Sequence, residues 1–515
     1  MRLALPAGRV MLPGHIIKTD GTDAMGLKTP EQYIESLRDG RVTYWDGERI
    51  EDITTHPRFR VPIAVAARDY AATQGGHSAV HAYVTAEGGR AHRVFQIPRS
   101  EADLNARVEM MHEMSIVGGV TGVMMALMSV KDAVAQANPR YGENIERMYR
   151  HVRDNDLRAA EVITDPKGDR SKRAHEQDDP DLYVRIVKRT DDGIVVRGAK
   201  LHITAASLVH ELVVMPTKGM RQDETDYAVS FAIPVNAPGV KIINRSFAPP
   251  ELNAFDYPSS SHHSMPEGFV VFDDVFVPWD RVFLAGQALG RLAFDGILAG
   301  AVRLTSVLAQ SLGLWERTGG LVAAVASSKL FVGLATLVSE YQGKDRDAHV
   351  QSTIAELVCY AEMLRMGLDF ALRHYETTPT GMIHPNVLAV NAAKYYYAAN
   401  YHLMVRNLQD LSGGLVVTLP EEADLRSPET GPYIRKYLST KAGVDVETRM
   451  RVYNLIRDMT ADAYGGWHLV VALQAGGGLA AQRVMMNRTY DMAGARAMAL
   501  AAAGALPESD GPKAA

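Results

Sequence analysis

Cysteine is almost absent: the 515-residue chain carries one, Cys359. A single thiol excludes an internal disulfide framework and fits a reducing cytoplasm. It also excludes cysteine-ligated zinc and iron–sulfur sites, which generally take roughly two to four thiolates, so no metal centre is expected. Net charge is scarce too, with 55 Lys and Arg against 60 Asp and Glu leaving −5. No basic tract alternates with aromatics, so a nucleic-acid partner is not expected. A small anion held by one basic loop stays open, because net charge does not report on a single loop. Residues 1–28 contain no apolar run of signal-peptide length, being interrupted by Pro6, Arg9, Pro13 and Lys18. An uncharged stretch of 17 residues between Glu113 and Lys131 falls just short of the roughly 18–20 residues a spanning helix needs. Gly118, Gly119 and Gly122 dilute it further. It reads as a buried core helix, and the chain as a cytoplasmic protein without a membrane partner.

What is present is an ordinary globular mixture, 47% hydrophobic and 22% charged, enough for a large core in several packed units. Thr29, Pro30 and Gln32 have the form of a capping box with proline at the first helical position. The folded part is expected to begin there, with 1–28 as an N-terminal extension and a helical domain over 29–153. Short segments rich in β-branched and aromatic residues follow near 182–188, 193–198, 211–215, 227–233 and 268–272, separated by turn signals including Pro249-Pro250. They predict an antiparallel, barrel-like β domain over 154–288, with the loop 259–264 inside it. From 289 to 515 the texture is helical again. Ile354, Leu357, Ala361, Leu364, Leu368 and Ala371 form one apolar stripe at helical spacing. The expected class is mainly α with a central β domain (α+β), the C-terminal part being a four-helix bundle with a frayed end at 508–515.

Five segments carry a resemblance. Residues 29–41 (TPEQYIESLRDGR), 164–171 (TDPKGDRS), 192–204 (DGIVVRGAKLHIT), 271–281 (VFDDVFVPWDR) and 412–420 (SGGLVVTLP) resemble, in that order, motifs of the 4-hydroxyphenylacetate 3-hydroxylase / 4-hydroxybutyryl-CoA dehydratase superfamily. The resemblance implies the acyl-CoA dehydrogenase-like fold, non-covalent FAD and a homotetramer. It makes 164–171 the flavin loop. In that loop Pro166 and Gly168 shape a turn whose exposed amides, with Lys167 and Arg170, can meet an anion. Thr164, Asp165, Lys167, Gly168, Asp169 and Arg170 are thus cofactor-binding candidates. Thr204 matches a position approaching the flavin ring. Gly413, Gly414 and Gly477 can let a backbone approach a cofactor closely, or simply end helices.

The chain also departs from both branches. The dehydratase branch holds a [4Fe–4S] cluster, but its ligand positions fall here on Val117 and Thr121, then on Val302 and Ala309 of the expected first bundle helix. The hydroxylase branch places Arg and Tyr on an early helix to bind a phenolate, yet 118–128 contains neither, and its histidine falls on Glu161. Glu161, Glu267, His112 and His262 are therefore the acid–base candidates. His202 is read as a satisfied core residue and His468 as a weak candidate. The resemblance implies an FADH2-dependent monooxygenase that acts with O2 and a separate flavin reductase. It would hydroxylate a small aromatic or heteroaromatic molecule through a flavin C4a-hydroperoxide. A cluster-free acyl-CoA enzyme and a silent flavin-binding subunit are the alternatives.

Overall fold

The structure, a computed structural model, describes residues 26–505 apart from 76–77, 248–251, 264, 287–288 and 295–296. Most of the extension 1–28, Pro249-Pro250, Ser264 and the end at 508–515 lie outside the described residues. The first helix is Pro30–Ser36, and Thr29 and Gln32 close the capping box reciprocally. The helices Pro57–Ala72, Glu101–Met111, Val123–Ala137 and Pro139–Asp154 follow. The uncharged stretch breaks at its glycines into Ile116–Val120 and Val123–Ala137. Val123, Met124, Met125, Ala126 and Leu127 are all fully buried, as a core helix requires.

Two sheets form the middle of the molecule. The six-stranded sheet runs, in spatial order, Glu48–Ile50, Thr43–Trp45, Val240–Arg245, Glu267–Pro278, Gly193–Thr204, Arg185–Arg189. The four-stranded sheet runs Val282–Ala285, Val229–Pro234, Glu211–Val214, Ala159–Val162. The expected antiparallel pattern is in fact mixed. Thr43–Trp45 lies parallel to Val240–Arg245, and Ala159–Val162 lies parallel to Glu211–Val214. Both exceptions join segments distant in sequence, where no hairpin dictates direction.

The chain then makes an antiparallel hairpin, Leu289–Phe294 with Ile297–Arg303, before the helices resume. Val302 therefore lies on a strand and not on the first bundle helix. The 38-residue helix Leu304–Tyr341 packs with Ala348–Arg373, Val387–Ser412 and Val446–Thr460. The predicted stripe holds, with Leu357, Leu364, Leu368 and Ala371 buried. Ile116–Ala137, Leu304–Tyr341 and Ala463–Thr489 are long and apolar enough to cross a membrane by length and composition alone. The first two contribute buried side chains to one hydrophobic core that links the N-terminal helices, the sheets and the bundle.

Candidate active site

The loop after strand Ala159–Val162 is pinned from within. Lys200, on the neighbouring strand Gly193–Thr204, reaches Asp165 Oδ1 at 2.6 Å and the carbonyls of Ile163 and Met215 at 2.8 and 2.9 Å. Asp165 is buried and anchors the loop through Lys200, while its Oδ2 has no hydrogen-bond partner among the described residues. Gly168 has φ 54°, and a Cβ there would come within 2.6 Å of Gln177 and Leu182. Glycine is required there by both conformation and packing. Asp169 accepts from the backbone and hydroxyl of Ser171, closing the turn locally. Thr164 contributes its carbonyl to Leu201. Lys167 and Arg170 remain exposed, without an ion pair among the described residues, and can receive an anion.

Strand Gly193–Thr204 carries a bulge where it approaches the bundle. Between the pairs Lys200↔Val270 and Ile203↔Gly268 it advances three residues while its partner advances two. His202 absorbs the extra residue with φ 57°, and Ala205 follows at φ 60°. Left-handed geometry at non-glycine residues costs roughly 1–2 kcal/mol each, and bulges of this kind re-aim side chains beside functional sites. His202 is consequently exposed, not a core residue. Beyond the bulge Thr204 stands opposite Glu267 and donates its hydroxyl to Oε2 at 2.8 Å.

Glu267 belongs to a set of three carboxylates brought together from three elements. Glu161 comes from strand Ala159–Val162, Glu267 from Glu267–Pro278 and Glu316 from Leu304–Tyr341. All three are partly accessible. Burial pushes the Glu161 carboxyl well up, and the negative charges of Glu316 and Glu267 push it further. Glu316 is also raised by burial, against the pull of the Gly476 N–H (2.8 Å), Arg317 and Lys394. Glu267 is raised by burial, with Thr204 and Trp467 holding it down through hydrogen bonds. Glu161 has no hydrogen-bond partner among the described residues, so nothing there offsets the rise of its carboxyl.

The cations nearby stand behind Glu316. Arg317 donates to Gly476 O at 2.7 Å and to Asn391 at 2.9 Å. Lys394 donates to Ala472 O at 2.9 Å, and burial pulls its ammonium down to about 8. Gly476 and Gly477 wrap this pair with φ 71° and 87°, and a Cβ on Gly476 would meet Arg317 at 2.8 Å. An aromatic wall completes the junction. Phe247 stacks on Trp467 at 4.9 Å, with Tyr464 5.7 Å from Trp467. His468 bridges the hydroxyls of Tyr397 and Tyr401 at 3.1 and 3.3 Å, and burial pulls it down to about 4, so it is neutral.

Of the acid–base candidates, the structure thus unites Glu161 and Glu267. His112 ends helix Glu101–Met111 at the surface, and His262 is exposed on Ser260–His263; no hydrogen bond among the described residues ties either to the carboxylates. Gly413 ends helix Val387–Ser412 with φ 70°, and a Cβ on it or on Gly414 would meet nothing within 4 Å among the described residues. Glu316, Lys394 and the Phe247–Trp467 wall escaped sequence reasoning. One signal was available: Glu316-Arg317 is a charged pair inside a long apolar helix, and buried charge demands an explanation. Among the described residues no group of three His, Cys, Asp or Glu is placed to hold a metal ion.

This helical–β–helical scaffold, with a basic loop and a bulged strand facing a bundle, has the architecture of flavin-dependent oxidoreductases. The family descriptions that match are 4-hydroxyphenylacetate 3-hydroxylase N terminal over residues 29–284 and the corresponding C terminal over 306–504. The chain belongs to that family and is a flavin-dependent oxidoreductase. It is 30% identical to the 4-hydroxyphenylacetate 3-monooxygenase oxygenase component of Thermus thermophilus, over 85% of this chain and 89% of that one. It is 31% identical to 4-hydroxybutyryl-CoA dehydratase/vinylacetyl-CoA-Delta-isomerase of Clostridium aminobutyricum, over 93% and 99%. A crystal structure of a 4-hydroxyphenylacetate 3-monooxygenase oxygenase component complexed with FAD superposes with TM-score 0.81 at 27% identity, covering 92% and 98%.

Proposed function

We propose that this chain is the oxygenase component of a two-component FADH2-dependent monooxygenase acting on a small aromatic or heteroaromatic substrate. Reduced flavin from a separate reductase would supply activation of O2 and transfer of one oxygen atom. The residues present fit such a cofactor. Lys167 and Arg170 are exposed and placed to take its phosphates, and Thr204, held by Glu267, stands on the re-aimed strand end. Glu161, whose carboxyl is raised by burial and like charge, is the group there suited to exchange a proton.

The observation that carries this reading over the dehydratase one concerns thiols. The only cysteine, Cys359, is exposed on helix Ala348–Arg373. The positions matching cluster ligands are spent on packing. Val117 is fully buried, and the Thr121 hydroxyl donates to Val117 O and accepts from Ala159 N. We therefore assign no iron–sulfur cluster. A second reading, a cluster-free enzyme acting on acyl-CoA thioesters, draws on the near full-length likeness to the dehydratase. We further infer a cytoplasmic homotetramer. Val358, Met363, Met366 and Phe370 leave an apolar face of Ala348–Arg373 exposed, which suits other copies of the chain.

The test is stopped-flow absorbance on mixing protein loaded with photoreduced FAD into oxygenated buffer. A transient species preceding oxidised flavin, followed by hydroxylated product when substrate is present, supports the reading. Reoxidation at the rate of free flavin contradicts it, and binding of CoA thioesters without oxygen uptake would transfer the assignment to the second reading. Bound FAD with no turnover in either assay would mark a silent subunit.

A further inference from the structure

Resting on the reading above that flavin binds at this junction, we propose that a chain of oxidisable rings carries stray one-electron oxidising equivalents from the junction to the protein surface. Its members are Trp467, Tyr464, Tyr401, Tyr397, Tyr360 and Tyr396. They run in unbroken contact. Tyr464 lies 5.7 Å from Trp467, centroid to centroid. Tyr464 and Tyr401 flank the imidazole of His468 at 5.4 and 5.0 Å. Tyr401 is 5.4 Å from Tyr397, Tyr397 is 6.3 Å from Tyr360, and Tyr360 is 5.7 Å from Tyr396. Rings at these separations touch, and charge crosses a protein faster in short steps than in one long jump. The inner end reaches the site: the Trp467 indole donates to Glu267, the carboxylate that accepts from Thr204 at 2.8 Å. Tyr401, Tyr397 and Tyr360 are buried, and Tyr396 is partly accessible on helix Val387–Ser412.

Packing alone would be served by phenylalanine, without burying hydroxyls. The hydroxyls here are placed as electron transfer requires, because a phenol is readily oxidised only when its proton can leave with the electron. Tyr397 and Tyr401 set theirs against the two ring nitrogens of His468, at 3.1 and 3.3 Å. Burial pulls that imidazole down to about 4, so it is neutral and one of its nitrogens can accept a proton. Lys394 Nζ stands 5.0 Å over the Tyr397 ring and opposes a positive hole there, which makes Tyr401 the resting place. The step balances. Tyr401 loses one electron through Tyr464 and Trp467 to an oxygen-derived radical at the junction, which becomes an anion. In the tautomer protonated on Nε2, its hydroxyl proton moves to His468 Nδ1, leaving a neutral tyrosyl radical beside an imidazolium. A small thiol in solution returns one electron through Tyr396, Tyr360 and Tyr397, becoming a thiyl radical and releasing its proton to solvent. The imidazolium then hands its proton back to Tyr401.

The gel-filtered FAD complex tests this under illumination, since photoexcited FAD is a strong one-electron oxidant. Electron paramagnetic resonance of the frozen sample reads where the hole has gone. The expected result is a tyrosyl spectrum distinct from the flavin's own, narrowed in protein made with ring-deuterated tyrosine and showing an exchangeable hydrogen coupling in D2O. Tyr401→Phe keeps the ring and should lose that coupled signal. In oxygenated buffer with a thiol, mass spectrometry should find Trp467 intact in the wild type and oxidised in the variant. No tyrosyl signal in the wild type, a signal unchanged in Tyr401→Phe, or equal oxidation of Trp467 in both overturns the proposal. The labelled wild type decides even where the variant does not fold. The test needs no hydroxylation. A tyrosyl radical without hydroxylated product keeps the chain and drops the reaction assigned above; product without a tyrosyl radical does the reverse; protein that binds no FAD loses both.

Discussion

Arg158 and Glu161 stand three residues apart at the same sheet edge and are treated in opposite ways. Arg158 is fully buried, its guanidinium 2.9 Å from Asp156 and 4.3 Å over the ring of Tyr70. Asp69, held by the backbone and hydroxyl of Ser115, adds a second negative charge within reach. That cluster joins the N-terminal helices to the start of the strand, and its charges answer one another. On the other side Glu161 meets only like charge. The first arrangement is scaffold: taking ions out of water is tolerated because partners are present. The second would be a fault in a scaffold, and on the function proposed above it makes Glu161 the candidate for proton or ligand exchange.

Breaking the balanced side should have the largest effect. Arg158→Met leaves Asp156 and Asp69 buried without their cation, and a loss of about 3–5 kcal/mol is expected in urea unfolding. A loss below about 1 kcal/mol would show that the cluster is not a charge-balanced scaffold. On the unbalanced side the expectation inverts. Glu161→Gln mimics the neutral acid without its proton linkage, so the urea midpoint at pH 7 should rise, not fall, while turnover falls by about 10²-fold. A variant that unfolds like Arg158→Met would make Glu161 structural.

The pH dependence sharpens the same contrast. The folded Glu161 carboxyl lies well above its ordinary value of 4.5, so above that pH the folded chain holds a proton the unfolded chain has lost. The slope of stability against pH is then negative: this contribution is present at low pH and is lost as pH rises from 4.5 through the raised folded value. Glu161→Gln should flatten that slope; a slope unchanged by the substitution would place the proton elsewhere. Smallest of all, Thr204→Val removes one hydrogen bond to Glu267, worth about 0.5–1.5 kcal/mol. It should raise the Glu267 carboxyl further and shift the alkaline limb of a pH–rate profile upward. An unmoved limb would separate Glu267 from the chemistry.

Much of the scaffold was legible in the sequence because it is local. The Thr29–Gln32 capping box, the stripe through Leu357 and Leu364, and the β-branched runs all depend on neighbours a few residues away. The site was legible in pieces. Glu161, Glu267 and Thr204 stand out singly, but their meeting depends on a bulge at His202 that adds one residue to a strand with no glycine at that point. Asp165 turned inward because Lys200, thirty-five residues later, reaches it. Glu316 and Lys394 gain meaning only when the bundle folds against the sheets. His112 and His262 show the converse: suitable chemistry in the sequence, left at the surface by the fold.

The most direct measurement is the protonation state of Glu161 itself, by infrared difference spectroscopy of wild type minus Glu161→Gln at pH 7. A protonated carboxyl C=O band that shifts in D2O and is missing from the variant is the predicted result. A difference spectrum showing only ionised carboxylate bands would mean that Glu161 is compensated after all, and the distinction between the two faces of this strand would fall.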